Sequence, residues 1–266
     1  MVKVVILNDT RNSNKDKFEN DDGFSAYIET ESNKILFDAG PSEKFMKNAE
    51  KLGIDLNKVD TIVLSHGHYD HGDGFRYFNN KVEFIAHPNC TLKRWWKDDH
   101  SHYSGIQLTK EELENKYNTH FTKEPYKINQ NTYYLGEIIR KYPVKNTKWV
   151  LENGQNDEVL DDSGMVINTE NGIIVIAGCS HSGICNIVEH AKMVTNNNKV
   201  LAVIGGFHLR EINENTNKVI DYMKDNVEEV ILAHCTIDEV CNKVVRDLKG
   251  KIKVSVTEVG EEYNFN

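Results

Sequence analysis

Residues 61–75, TIVLSHGHYDHGDGF, constrain this chain more than any other stretch. An apolar run, Thr61-Ile62-Val63-Leu64, passes without a break into Ser65-His66-Gly67-His68-Tyr69-Asp70-His71, then into Gly72, Gly74 and Phe75. That order predicts a buried strand ending in a tight loop. Residues two apart at a strand end project to the same side, so His66 and His68 can close on one ion. Asp70 and His71 follow as the chain turns into a helix, whose positive N-terminal end suits a carboxylate, and they face a neighbouring position. An ordinary polar loop accounts for one such histidine. Three histidines and an aspartate at this spacing predict two adjacent metal ions, because imidazole and carboxylate are the ligand set of zinc, iron or manganese.

The rest of the chain must supply a scaffold. With 266 residues and 39% hydrophobic content it can bury a substantial core, and one large domain over 1–266 is expected. The net charge of −9 argues against a general nucleic-acid surface. No apolar run approaches a transmembrane length, and the opening MVKVVIL is too short for a signal peptide. Cysteines at 90, 179, 185, 235 and 241 are odd in number and scattered through apolar segments, as expected of reduced thiols in a cytoplasmic protein. Neither a membrane nor a nucleic acid is expected as a partner, and nothing in the sequence specifies an oligomeric state.

Strands are predicted at 2–7, 24–30, 34–38 and 81–86, with a helix from Ser42 to Gly53. Asp38 ends a buried strand before Ala39-Gly40, so it either caps the next segment or supports a site, and its position alone favours the cap. Residues 89–150 differ in texture, carrying all three tryptophans together with His100, His102 and His120. One helix is clear there, opened by the capping box Thr109-Lys110-Glu111-Glu112. Aromatic residues with polar handles fit an inserted cap over a pocket mouth, or else a solvent-facing subdomain with its own small core. A hairpin (164–168 and 172–177), a helix capped by Ser182, strands at 200–204, 230–233 and 251–259, and a helix opened by the box Thr236-Ile237-Asp238-Glu239 complete a mixed α/β (α+β) pattern.

In three places an apolar strand runs out into small residues and a histidine: IVIAGCSH at His181, LAVIGGFH at His208 and VILAH at His234. Strand ends gathered along one sheet edge are where open α/β architectures place their sites. A lone histidine there is usually structural. Three of them, in a chain that already carries H-x-H-x-D-H, are candidate site residues.

The motif resembles the signature of the metallo-β-lactamase superfamily, which implies an αββα sandwich. By that resemblance His66 and His68 hold a first metal, Asp70 and His71 face a second, and His234 in ILAHCT looks like the late histidine that completes the second site. The superfamily's remaining ligands are a histidine before a late hairpin and an aspartate or cysteine after it. This chain departs from that pattern, with Asp161-Asp162-Ser163 before the hairpin and Cys179 and His181 after it. His181 is taken as the missing first-metal ligand, with Asp161 or Asp162 as the alternative, and Cys179 and Asp38 as bridging or supporting groups. HGHYDHGDGF, LFDAG, AGCSHSGI, GGFHL and LGEIIR are similar, over nearly the whole chain, to the 7,8-dihydropterin-6-yl-methyl-4-(β-D-ribofuranosyl)aminobenzene 5′-phosphate synthase-like group. That name implies a pterin and a ribofuranosyl aminobenzene phosphate as substrates.

Two divalent ions, zinc first and iron or manganese otherwise, would share a water and supply hydroxide near neutral pH. The expected reaction is hydrolysis of a phosphorylated or other anionic small molecule. Condensation by a synthase or transferase, a di-iron redox centre and a metal-bound sensor are the other readings. Asp70 enters the chemistry as a ligand, and His208, without a required ligand role, is the expected proton donor. The Gly205-Gly206 pair before it is expected to let the backbone approach a ligand. Arg140 in LGEIIR is the candidate substrate anion-binding group, its alternative being an ion pair on an exposed face.

Overall fold

Stretches such as VVIL at 4–7 and IIVIA at 173–177 are apolar at every position rather than at alternate ones, so these strands must be covered on both faces. The computed structural model describes residues 1–144 and 148–266; of the segment 89–150, positions 145–147 lie outside the described residues. The chain opens with β1 (Val2–Asn8), the hairpin β2 (Ser25–Glu29) and β3 (Lys34–Phe37), helix α1 (Lys44–Lys51), β4 (Thr61–Val63) and the one-turn helix α2 (Tyr69–Gly72). Next come β5 (Glu83–Ala86), β6 (Arg94–Trp96), α3 (Lys110–Lys116), β7 (Asn118–Phe121), β8 (Tyr126–Lys127), β9 (Thr132–Tyr134) and β10 (Trp149–Leu151). The remainder is β11 (Gly164–Thr169), β12 (Gly172–Ala177), α4 (Ile184–Thr195), β13 (Val200–Gly205), α5 (Glu214–Asn226), β14 (Val227–Leu232), α6 (Asp238–Leu248), β15 (Lys253–Val256) and β16 (Glu262–Phe265).

Two seven-stranded sheets form, in the orders β16-β1-β2-β3-β4-β5-β7 and β15-β14-β13-β12-β11-β9-β8. Strand alternation divides the apolar residues into three layers. Val4, Ile6, Ile174 and Ile176 meet between the sheets. Val5 and Leu7 face outward onto Phe45 and Ala49 of α1 and Leu113 of α3. Val175 and Ala177 face α4, α5 and α6 through Ile187, Val219 and Val244. Each such fully buried side chain contributes roughly 1.5–3 kcal/mol, so layers of this size hold the αββα sandwich together without help from surface charge. No helix among the described residues is long and apolar enough to cross a membrane.

Four local expectations give way to tertiary demands. The segment 89–150 is not wholly outside the sheets: β7 extends the first sheet, β8 and β9 extend the second, and only β6 and β10 pair as a separate ribbon. β16, a short edge strand with a weak apolar pattern, pairs antiparallel with β1. Ser182 does not cap α4, whose N-cap is Gly183 in a positive-φ conformation; the Ser182 hydroxyl donates to Asp162 instead. Thr236 does not cap α6 either, because its hydroxyl oxygen accepts from the Phe207 N–H, 2.9 Å away, and ties two strand ends together.

Candidate metal centre

The C-terminal ends of β4, β12, β13 and β14 bring the candidate residues together. β4 runs into the loop that carries His66 and His68, and Gly67 makes that loop passable, since a Cβ there would overlap the carbonyl oxygen of Cys90. The Gly67 N–H donates to Asp161 at 2.8 Å, and its carbonyl accepts from Ile106 at 3.0 Å. His66 Nε2 and His68 Nδ1 stand 3.0 Å apart. Two nitrogens each about 2.0–2.1 Å from one ion lie roughly 2.9–3.4 Å apart at the usual ligand angles, so this pair is spaced as co-ligands. The His181 ring faces both, with centroids 4.8 Å from each.

A second group lies alongside. Asp70 Oδ2 is 3.1 Å from His234 Nε2 and 3.7 Å from His71 Nε2, and His71 Nε2 is 3.1 Å from Cys179 Sγ. Ligand atoms of Asp70, His71, Cys179 and His234 all fall within 4.8 Å of one another, as do those of His66, Cys179 and His181. Cys179 belongs to both groups, which puts its sulfur between the two positions. The donor set, imidazole with one carboxylate and one thiolate, suits divalent transition ions such as zinc and not magnesium or calcium, which take oxygen.

In His66, His71 and His234 the Nδ1 is held so that Nε2 is left for an ion. Asp38 caps no helix: its carboxylate accepts from Ser65 N at 2.7 Å, Ser65 Oγ at 2.7 Å and His71 Nδ1 at 2.6 Å. Because Ser65 gives its only hydroxyl proton to Asp38, its oxygen accepts from His66 Nδ1, 2.9 Å away. The same logic runs on the other side. Thr10 Oγ1 donates to Asp22 at 2.7 Å and so accepts from His234 Nδ1 at 2.7 Å, while Asp9 accepts from the His234 backbone N–H at 2.7 Å. Ser65, Asp9 and Thr10 were not singled out from the sequence, since strand-end polar residues are common and only the fold brings residues 9 and 10 to residue 234. Asp38 alone supports both groups. Asp38→Asn, which cannot accept all three hydrogen bonds, should weaken metal binding by about 10–100-fold in a competitive chelator titration.

The two groups differ in charge. Burial, then neighbouring positive charge, hold His66, His68 and His181 well below the usual histidine range, so they stand neutral and ready to ligate. Burial also presses on His234, but the hydrogen bond and charge of Asp70 outweigh it and raise His234 to about 9. Asp70 resists its own burial through His71 and His234 and falls to about 2. A cation entering the second group therefore has a proton to displace.

The remaining candidates are placed as follows. His181, not Asp161 or Asp162, stands with His66 and His68. Asp161 pairs with the buried Arg94 at 3.0 Å, and Arg94 Nε lies 3.2 Å from Asp157, an ion triad tying β6 to the ligand loop. Asp162, lifted to about 6 by burial, accepts from the Ser182 N–H at 2.8 Å. Arg140 is a correction toward the ion-pair alternative: its Nη2 donates to the carbonyls of Glu158 and Val159 at 2.8 and 3.0 Å, and its Nη1 stands 3.9 Å from the Glu158 carboxylate. Gly205 and Gly206 are another, since Cβ atoms there would collide with the Ala177 carbonyl and with Cys235 Sγ, protein atoms rather than a ligand. His208 takes a left-handed φ of 48° and sets its ring 4.4 Å from His181; its Nδ1 is buried without a hydrogen-bond partner. Trp149 of β10, which sequence reasoning assigned only to the aromatic segment, roofs the group at 4.7 Å from His68, 4.8 Å from His181 and 5.6 Å from His208. His102 and His120 lie elsewhere, stacked on Trp96 and packed on Tyr126.

Known proteins are similar to this chain to differing degrees. The family model described as the Metallo-beta-lactamase superfamily matches residues 19–194. An uncharacterized protein of Methanocaldococcus jannaschii is 35% identical over 247 residues, covering 89% of this chain and 90% of its own length. From the same organism, a protein named 7,8-dihydropterin-6-methyl-4-(beta-D-ribofuranosyl)-aminobenzene-5'-phosphate synthase is 31% identical over 270 residues, covering 93% and 92%. The crystal structure of a metal-dependent hydrolase of the beta-lactamase superfamily superimposes with a TM-score of 0.86 at 28% identity, covering 100% of this chain and 99% of that one.

Proposed function

The chain belongs to the metallo-beta-lactamase superfamily, and on that premise we propose that it is a dinuclear metal-dependent hydrolase of a phosphorylated or other anionic small molecule. Cys179 carries the proposal, because its sulfur falls in both ligand groups and would be within reach of an ion held by either. His66, His68 and His181 would hold one ion, and Asp70, His71 and His234 the other. When bound, the pair supplies a hydroxide near neutral pH and polarises the bond to be broken. Zinc suits the nitrogen-rich set with one thiolate best. Asp70 is spent as a ligand and cannot act as a free base. His208, whose partnerless Nδ1 lies near His181, is the chain's own proton donor to the leaving group. Trp149 closes the side over His68 and His181 and keeps bulk water from the reacting atoms. Five free, buried thiols fit a reducing compartment, the cytoplasm.

A second reading, condensation of a pterin with a ribofuranosyl aminobenzene phosphate, is favoured by the relative that carries a synthase name. The same residues would then orient an anionic leaving group. Metal analysis followed by turnover of phosphomonoesters, phosphodiesters, lactones and thioesters, with the pterin condensation run in parallel, separates the two. Two ions per chain with ester turnover support hydrolysis; condensation alone supports the second reading; a single ion rejects the bridged pair. His208→Ala should lose about 100-fold in rate while retaining both ions, and loss of an ion in that variant would make His208 a ligand instead.

A further inference from the structure

The ends of β12, β13 and β14 bring a second sulfur, Cys235, up to Cys179 and His208, and the hydrolytic centre has no use for it. Ligand atoms of Cys179, His208 and Cys235 lie within 4.8 Å of one another. The Cys235 thiol donates to the Cys179 carbonyl oxygen at 3.5 Å, and its Sγ accepts from the His208 backbone N–H at 3.3 Å. Gly206 holds it there: a Cβ at that position would come within 2.5 Å of Cys235 Sγ and 2.9 Å of the Gly178 carbonyl, so only glycine lets the second sulfur lie this close to the first. The other three thiols are set apart, Cys90 in the outer layer of the first sheet and Cys185 and Cys241 among the helices of the second.

We propose that Cys179 and Cys235 are a modification site, a thiol pair that a hydroperoxide converts to a reversible disulfide. Cys235, whose Sγ faces the His208 backbone N–H at 3.3 Å, is the attacking sulfur, its proton passing to the oxygen that leaves. Its electron pair breaks the peroxide O–O bond, forming a sulfenic acid on Cys235 and releasing the alcohol or, from hydrogen peroxide, water. Cys179 then attacks that sulfur, the S–S bond forms, and the sulfenic oxygen leaves as a second molecule of product water. Two thiols lose two electrons and two protons, and the peroxide takes both. The consequence for the enzyme rests on the two-ion reading: a sulfur tied up in a disulfide no longer bridges the two ligand groups, so oxidation should expel metal.

The test treats the metal-loaded and the chelator-stripped protein with stoichiometric hydrogen peroxide and reads intact mass, cross-linked peptides and bound metal. Expected are a loss of two hydrogen atoms, a peptide joining residues 179 and 235, release of metal, and full reversal by a dithiol. Cys179→Ser should show no such loss and instead gain oxygen on Cys235, Cys235→Ser should show neither change, and Cys90, Cys185 and Cys241 should stay open to alkylation after denaturation. Oxygen addition without cross-linking in the unaltered protein, or a cross-link through any other cysteine, would overturn the proposal. A cross-link between 179 and 235 that leaves the metal in place would support the thiol pair and reject Cys179 as a ligand, so the two failures are distinguishable.

Discussion

Protein carrying Asp70→Ala should fold normally, bind one ion in place of two, and lose activity by more than about 1,000-fold, because groups that act as a unit forfeit nearly all of their joint effect when one is removed. The fold survives because Asp70 sits on a one-turn helix beyond the end of β4 and supplies none of the three apolar layers. The second group does not survive. Asp70 is its only carboxylate and the partner that holds His234 in place, at 3.1 Å. Without it, His234 loses its chief source of proton affinity and drops from about 9 toward the ordinary histidine range, and because the second group no longer fills, metal loading of the variant should release fewer protons in total. Metal analysis, circular dichroism and calorimetric titration in buffers of different ionisation enthalpy check these points. Retention of both ions would remove Asp70 from the ligand set, and global unfolding would mean that the ligand loop carries more of the core than its geometry implies.

Arg94→Met should be the most destabilising single change near the site. Arg94 is fully buried, and so nearly are its partners Asp157 and Asp161. Removing the cation leaves two carboxylates in an apolar surround, at about 3–5 kcal/mol for breaking a buried pair. At about 2–4 °C per kcal/mol for a chain of this size, Tm should fall by roughly 6–20 °C. The deficit carries a pH signature. Burial already raises Asp157 above the usual carboxylate range with Arg94 present, and removing the cation takes away the charge that opposes that rise. Groups whose folded pKa is raised contribute stability that is complete below the unfolded value and lost as pH climbs through the folded one. The variant should therefore approach the parent protein as pH falls toward about 4 and differ from it most at pH 8. An equal Tm, or a deficit that does not change with pH, would show that the triad contributes little. Because Asp161 also holds the Gly67 N–H at 2.8 Å, the variant should bind metal less tightly at His66 and His68 as well.

The early motif carries most of what is legible in one dimension. His66, His68, Asp70 and His71 lie within six residues, so local geometry alone brings them together, and strand periodicity accounts for the two sheets and for the histidines at their ends. Residues 178–182 show where that reasoning stops. From AGCSHSGI, His181 and Cys179 are equally plausible donors and Ser182 is a good helix cap; which does what depends on Asp162, which takes up Ser182, and on His71, which meets Cys179 from a strand end in the other sheet. Arg140 shows the same limit, since an arginine in LGEIIR looks equally available to a phosphate or to an ion pair on an exposed face, and only packing brings residues 158 and 159 within its reach. Asp9 and Thr10 are more than 220 residues from His234, and nothing local marks them. The sequence by itself determined the layered α/β fold, the strand-end ligand motif and the chemistry of its donors, because periodicity and short spacing act over a few residues. The tertiary structure decided which late residues complete each ligand group, that Asp38 supports both, and that Trp149 and Cys235 stand over and beside them, because those choices depend on contacts between segments that only the closed sandwich brings together.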